Sequence, residues 1–401
     1  MAPPEHREVV IVGGGPSGAA VAIGLARGGR DVLVLERAPA WRWRACGVFT
    51  SPVTVRELAR LGLSEADLAA VARRLPAMRV ETPAGTHFRL TYGDDRSLRA
   101  AAVGLDRSAL DPLLLGCARA AGAEVREGAT VRDVDIDHGR VSLADGAVVE
   151  AGILVGADGI RSVVAGHAGV TRETWLGART ALTFHVEDPA PDVPRDARMI
   201  VFDGGYVGLS PVPGGRVNVG IVVGGRDWAD RLRRNGAASV VDRVLARIPP
   251  AADDPVDWPT ACRCDPIEGA APVGHRVSRR HGDAWLLVGD AAGFLDPFTG
   301  EGLHRALRSA ALATEAILAH LAGDPTALAG YDRSMTARFR SKDAVSLLVQ
   351  AFLARPALFE RAARALTERP MVRETMGLVM GDLVPASRAL DPRFVAALLR
   401  P

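Results

Sequence analysis

Short, unbroken apolar runs punctuated by glycine open the chain. Residues 8–13 read Glu-Val-Val-Ile-Val-Gly, the composition of a strand buried on both faces. Gly13-Gly14-Gly15-Pro16-Ser17-Gly18 follows at once, and then AAVAIGLARGG, a small-residue helix stopped by Gly28-Gly29. DVLVLER at 31–37 is a second buried strand, so strand, tight turn, helix and strand form one βαβ unit. Further on, 106–122 is patterned as an amphipathic helix, and short strands are expected around 123–126, 129–136 and 140–149, with turns at His138-Gly139 and Asp145-Gly146. ILVGADG at 153–159 and WLLVGDAAG at 285–293 repeat the buried-strand-then-turn text. Between about 175 and 265 the pattern becomes β-type alternation with Pro and Gly punctuation, read as an antiparallel sheet. Residues 301–322, and the chain from Ser334 onward, are helical in pattern, the latter broken by Pro356, Pro370, Pro385 and Pro392.

The fold class that follows is α/β: a Rossmann-like dinucleotide domain, an inserted antiparallel β-sheet domain, and a helical C-terminus. The expected division is 1–75, 100–174 and 266–333 for the dinucleotide domain, 76–99 and 175–265 for the substrate domain, and 334–401 for the helical region.

Composition narrows the class. With 401 residues, 48% hydrophobic and 24% charged, the chain can build a sizeable core, and its formal charge of +2 speaks against nucleic acid as partner. Arginine supplies nearly all the positive charge; Lys342 is the one lysine. The four cysteines, Cys46, Cys117, Cys262 and Cys264, form no disulfide framework, and Cys262, Cys264, His275 and His281 lack the spacing of a metal site, so no metal is expected. The start MAPPEHREVV has no basic-then-apolar signal, and the reduced cysteines fit a cytoplasmic protein. Trp41-Arg42-Trp43-Arg44 reads as a flap beside a cofactor.

Gly13-x-Gly15-x-x-Gly18 lets a pyrophosphate approach the backbone, and the helix that follows presents free N–H groups and a partial positive charge. Glu36 ends the second strand, 18 residues beyond Gly18, where a carboxylate accepts from a ribose. Two more pieces separate FAD from NAD. Gly156-Ala157-Asp158-Gly159 and Gly289-Asp290-Ala291-Ala292-Gly293 place acids at strand ends, suited to ribityl hydroxyls. Gly300-Glu301-Gly302 opens a helix at Leu303 whose positive end favours reduced flavin.

Together these motifs resemble the aromatic-hydroxylase type of flavoprotein, and more specifically the geranylgeranyl reductase family, which implies that the Rossmann-like domain is an FAD-binding domain of the glutathione-reductase type. Ala45-Cys46-Gly47 and GDAAGFLDPFTGEG at 289–302 are the specific marks; hydroxylases more often carry histidine where Gly293 stands and asparagine soon after the final glycines. The resemblance implies FAD contacts at Gly13, Gly15, Ser17, Gly18, Glu36, Arg37, Cys46, Gly47, Arg107, Asp158 and Asp290, with the flavin ring near Gly300, Gly302 and Leu303. It implies catalytic roles for Cys46 and for Tyr206, which matches the tyrosine of the family's Tyr-x-Trp-x-Phe-Pro segment, although here Gly208 and Ser210 replace the two large aromatics.

The expected activity is reduction of carbon–carbon double bonds in a hydrophobic isoprenoid- or polyketide-like substrate, with NAD(P)H as electron donor despite the lack of a second glycine fingerprint. A flavin-dependent monooxygenase and a non-catalytic flavin-binding protein are the alternatives. Two apolar faces of the basic tail, Val345-Leu348-Phe352-Leu353 and Leu358-Ala362-Leu366, are expected to pack internally or to touch a membrane surface.

Overall fold

Residues 9–12 are buried on both sides because the first strand, Glu5–Val12, lies in the middle of a sheet. In the computed structural model, which describes residues 4–41, 43–93, 101–174 and 178–400, that sheet runs parallel in the order Glu124–Glu127, Val32–Glu36, Glu5–Val12, Val148–Gly156, Trp285–Leu287. The first half of Val148–Gly156 also pairs antiparallel with Arg140–Leu143, and that strand with Val131–Asp135. One long strand therefore serves both the parallel sheet and a meander. Helices Pro16–Arg27, Arg107–Ala120 and Gly302–Leu321 pack against the parallel strands in one apolar core. Asp106 starts the second of these helices, its carboxylate accepting from Ser108 N at 3.0 Å.

A second sheet has the order Glu268–Ala270, Arg179–Glu187, Arg216–Gly224, Gly205–Val212, Ala197–Phe202, Ala77–Glu81, His87–Thr91. It departs from the antiparallel expectation at one junction: Ala197–Phe202 and Ala77–Glu81 run parallel. These two strands come from separate stretches of chain, so no hairpin fixes their direction.

A further difference is a helix, Arg226–Leu245, inside the stretch read as β-type. Gly236, at φ +77°, kinks it and interrupts its period, and its apolar residues are clustered at the ends, as Trp228 and as Val240, Val241, Val244 and Leu245. These side chains cover the outer face of the second sheet.

The inner face of that sheet is covered by the C-terminal helices Ala327–Leu353, Pro356–Glu368, Pro370–Met380 and Pro392–Leu399. Pro356, Pro370 and Pro392 each stand at a helix start, where a missing N–H costs nothing. Phe352, Leu348, Leu353, Leu358, Ala362 and Leu366 pack into this core and Val345 into a neighbouring one. Both apolar faces of the tail thus make internal packing contacts, with Leu348, Leu353 and Leu358 only partly buried. Among the described residues no helix is long and apolar enough to cross a membrane.

Candidate functional site

The turn after the first strand is built for close approach. Gly13 has φ +102°, and a Cβ there would stand 2.5 Å from the carbonyl oxygen of Ala157. A Cβ on Gly18 would overlap the carbonyl oxygen of Gly13, so this glycine holds helix against strand. It does not border the cavity described below. Gly15 has open space where a Cβ would be, and the helix begins there with Pro16. Its first-turn N–H groups make an anion site.

A cavity of about 1270 Å³ runs from this turn to the inner face of the second sheet. Gly13, Gly15, Ser17, Glu36, Arg37, Cys46, Gly47, Arg107, Asp158, Tyr206, Asp290, Gly300, Gly302 and Leu303 all border it. The volume exceeds the roughly 300–1,000 Å³ of a pocket for one small ligand, which leaves room for a dinucleotide and a second molecule.

Glu36, the acid of the fingerprint, is buried and borders the cavity. Its Oε2 accepts from Gly14 N at 2.9 Å, and Oε1 from Ala38 N at 2.9 Å and from Arg44 at 3.1 Å. A carboxylate oxygen takes more than one donor, so Oε2 retains capacity for a hydroxyl. The flap reading for 41–44 fits Arg44 and the buried Trp43; Arg42 lies outside the described residues.

Arg107 is no solvated side chain. It makes a bidentate pair with Asp111 at 2.8 and 3.0 Å and donates to Gly47 O at 3.0 Å, tying the helix start to the Cys46-Gly47 loop. Burial works to lower its pKa, and Asp111, Cys46 and Asp290 together outweigh that and raise it.

Asp158 Oδ2 accepts from Val163 N at 2.6 Å, whereas its Oδ1 is buried without a partner; burial raises its pKa. Burial likewise pushes Asp290 up to about 6, against the pull of Arg107 and Arg305. Thr299 Oγ1 is another buried atom without a partner, and Thr299 also borders the cavity. An orphaned carboxylate oxygen, an orphaned hydroxyl and an open glycine turn, all bordering one cavity, fit the hydroxyls and phosphates of FAD.

Cys46 packs beside Trp43, Val48 and Val212. Burial pushes its thiol up to about 11, so it is neutral near pH 7. Tyr206 sits on the sheet and donates to Asp296 Oδ1 at 2.8 Å, with Phe298 edge-on at 5.0 Å. Burial, then Asp296, raises its phenol well above the usual range.

Asp296 is the hub of a cluster that sequence reasoning did not assemble. It also accepts from Arg179 at 2.6 Å, from Gln350 Nε2 at 2.8 Å and from Phe298 N at 3.0 Å. Its presence in the DPFTGEG segment was the available signal; its partners stand on the second sheet and a C-terminal helix. The cluster pins all three regions together beside the cavity. Among the described residues no group of three or more His, Cys, Asp or Glu is gathered as a metal ion would need.

Glu36→Ala is expected to weaken FAD binding by about 1–3 kcal/mol, because ribose hydroxyls lose a charged acceptor and Gly14 N–H loses its partner. Fluorescence titration of apoprotein with FAD measures this. An unchanged Kd would remove Glu36 from the binding site.

The FAD binding domain family matches residues 6–342. Menaquinone reductase of Mycolicibacterium smegmatis is 32% identical over 322 residues, covering 77% of this chain and 75% of that protein. Digeranylgeranylglycerophospholipid reductase 2 of Methanopyrus kandleri is 31% identical over 334 residues, covering 80% and 78%. In three dimensions, a geranylgeranyl bacteriochlorophyll reductase-like protein from Thermoplasma acidophilum superposes with TM-score 0.80 at 21% identity, covering 99% of both chains. The flavin-dependent brominase Bmp2 gives 0.77 at 21%, covering 94% of this chain and 93% of its own. At these identities the structures speak to fold alone.

Proposed function

The chain belongs to the FAD binding domain family, and from that premise we propose that it is an FAD-dependent reductase of carbon–carbon double bonds in a long, apolar, isoprenoid-type substrate. The observation that carries this reading is the continuity of the cavity. Its far end, beyond the fingerprint and the Gly300–Gly302 loop, is walled by Met78, Phe88 and Leu90 of the second sheet and by Phe352, Leu366 and Met376 of the C-terminal helices. An apolar chain is stabilised there by about 25 cal/mol for each Å² it buries. The relatives named as reductases act, by their names, on menaquinone and on a digeranylgeranyl lipid.

FAD, when bound, supplies the hydride. Gly13, Gly15 and the first turn of the following helix take its pyrophosphate, Glu36 a ribose, and Asp158 and Asp290 the remaining hydroxyls. Arg107 orients the Cys46-Gly47 loop through Gly47 O. Cys46 holds its proton on Sγ and Tyr206 on Oη, so both present neutral polar groups to a reacting double bond. NAD(P)H is the electron donor in this reading, visiting without a second glycine fingerprint.

Cys46→Ser is expected to leave FAD affinity within about twofold while lowering turnover or changing which bond is reduced. Product analysis on the variant reads this directly. Parental rate and product pattern in the variant would return Cys46 to a packing role. Oxygen uptake provides the matching check on reaction type: a reductase forms product without stoichiometric oxygen consumption, whereas a monooxygenase consumes one dioxygen for each product.

A further inference from the structure

The centre of the second sheet carries two glycines that the backbone does not require. Gly208 and Gly220 face each other across adjacent strands, in a cross-sheet row that reads Glu268, Thr183, Gly220, Gly208, Met199. Neither has a positive φ. A Cβ on Gly208 would meet nothing nearer than the flexible end of Met199 at 3.4 Å, and one on Gly220 nothing nearer than 3.9 Å. Glycine inside a strand costs roughly 0.5–1 kcal/mol relative to alanine, and it recurs where a ligand approaches the backbone. Both residues border the cavity, so together they lay a bare-backbone floor in it.

The next row along the same face is polar. His185 pairs with Asn218, and Asn218 with Ser210. Ser210 borders the cavity, is 5% exposed, and its Oγ is buried with no hydrogen-bond partner. Asn218 Nδ2 donates to Thr183 Oγ1 at 3.1 Å and to Phe184 O at 3.4 Å, while its Oδ1 lies 3.9 Å from the Cβ position of Gly220. An unpaired hydroxyl and an amide oxygen thus stand at the rim of a flat surface.

Resting on the reductase reading above, we infer that Gly208 and Gly220 seat a flat, oxygen-bearing ring of quinone or phenol type at the head of the substrate, with the Ser210 hydroxyl donating to its rim oxygen. A planar ring fits a floor without side chains, and an unpaired buried hydroxyl is satisfied by a carbonyl or phenolic oxygen. The alternative head for a lipid-like substrate is a phosphate. Thr183, Ser210 and Asn218 carry no charge, and the charge on the floor's own row is the carboxylate of Glu268, which repels an anion. Arg198, which also borders the cavity, is spent on Glu81 at 2.8 Å, Asp254 at 2.6 Å and Pro249 O at 2.7 Å.

The test uses the FAD-loaded full chain and follows flavin fluorescence during titration with three probes: a short-chain prenylated naphthoquinone, ringless geranylgeraniol, and geranylgeranylglyceryl phosphate. The naphthoquinone is expected to bind more tightly than the phosphate. Gly208→Leu should raise the naphthoquinone Kd by at least about tenfold, and the milder Ser210→Ala by about three- to tenfold, with FAD and geranylgeraniol affinities held within about threefold. Naphthoquinone binding that survives both substitutions overturns the ring site, as does parallel loss of geranylgeraniol. Tighter binding of the phosphate to the parent protein overturns the choice of head group and leaves the reductase reading standing. A full chain that takes up no FAD overturns both.

Discussion

Gly18→Val is expected to yield a protein with FAD affinity reduced by at least about a thousandfold, close to 4 kcal/mol. A Cβ at this position overlaps the Gly13 carbonyl oxygen and lies 3.2 Å from the Ala157 Cβ. The Gly13 oxygen is backbone and the Ala157 Cβ is fixed to a buried residue, so neither can swing away as a flexible side chain would. The helix Pro16–Arg27 must then move off the strand, at an overpacking cost of about 1–3 kcal/mol in stability. Its N-terminus moves with it, and the N–H groups no longer converge on a pyrophosphate. Gly18→Ala should show the same losses in milder form. Equilibrium dialysis with FAD, alongside thermal melting, measures both effects; a yellow Gly18→Val protein with parental Kd contradicts the packing argument.

The second large effect is expected at the single lysine. Lys342 is 7% exposed; its Nζ donates to Val379 O at 2.9 Å and to Asp382 Oδ1 at 2.7 Å, with Glu301 Oε2 at 3.6 Å. Glu301 stands between Gly300 and Gly302, and its Oε1 accepts from Ser346 at 3.0 Å. One ammonium therefore ties the C-terminal helices to the loop expected beside the flavin ring. Lys342→Met leaves two largely buried carboxylates without their cation and is expected to cost about 3 kcal/mol of stability. Urea unfolding reads the loss, and Lys342→Met combined with Asp382→Asn should recover part of it. A single variant as stable as the parent would show that water already screens these carboxylates.

The dinucleotide fingerprint of the candidate site was legible in the sequence for a physical reason. Its parts are contiguous: an apolar strand, a glycine turn and a helix start carry the fingerprint within a few residues, and Glu36 follows at the end of the next strand. Period alone also showed that the tail helices bury a face, as Leu348 and Phe352 do, but not that the partner is the second sheet. What stayed hidden depends on pairings between distant segments. Tyr206, Asp296, Arg179 and Gln350 meet only after three regions have packed together. The facing of Gly208 and Gly220 depends on strand register, which no local pattern encodes. The helix Arg226–Leu245 escaped because Gly236 breaks its period, and the parallel pairing of Ala77–Glu81 with Ala197–Phe202 because no turn joins them.

The central claim is that this chain uses FAD to add hydrogen across a carbon–carbon double bond, and an anaerobic single turnover tests it most directly. The FAD-loaded protein is reduced chemically, freed of oxygen and mixed with a prenylated naphthoquinone, and the product is identified by mass. A reductase needs no oxygen, because hydride and proton are both in place once FAD is reduced. The account predicts product carrying two additional hydrogen atoms in its prenyl chain, formed without air and accompanied by reoxidation of the flavin absorbance. Product that appears only after air is admitted, and that gains an oxygen atom from labelled dioxygen, would contradict the account and identify a monooxygenase.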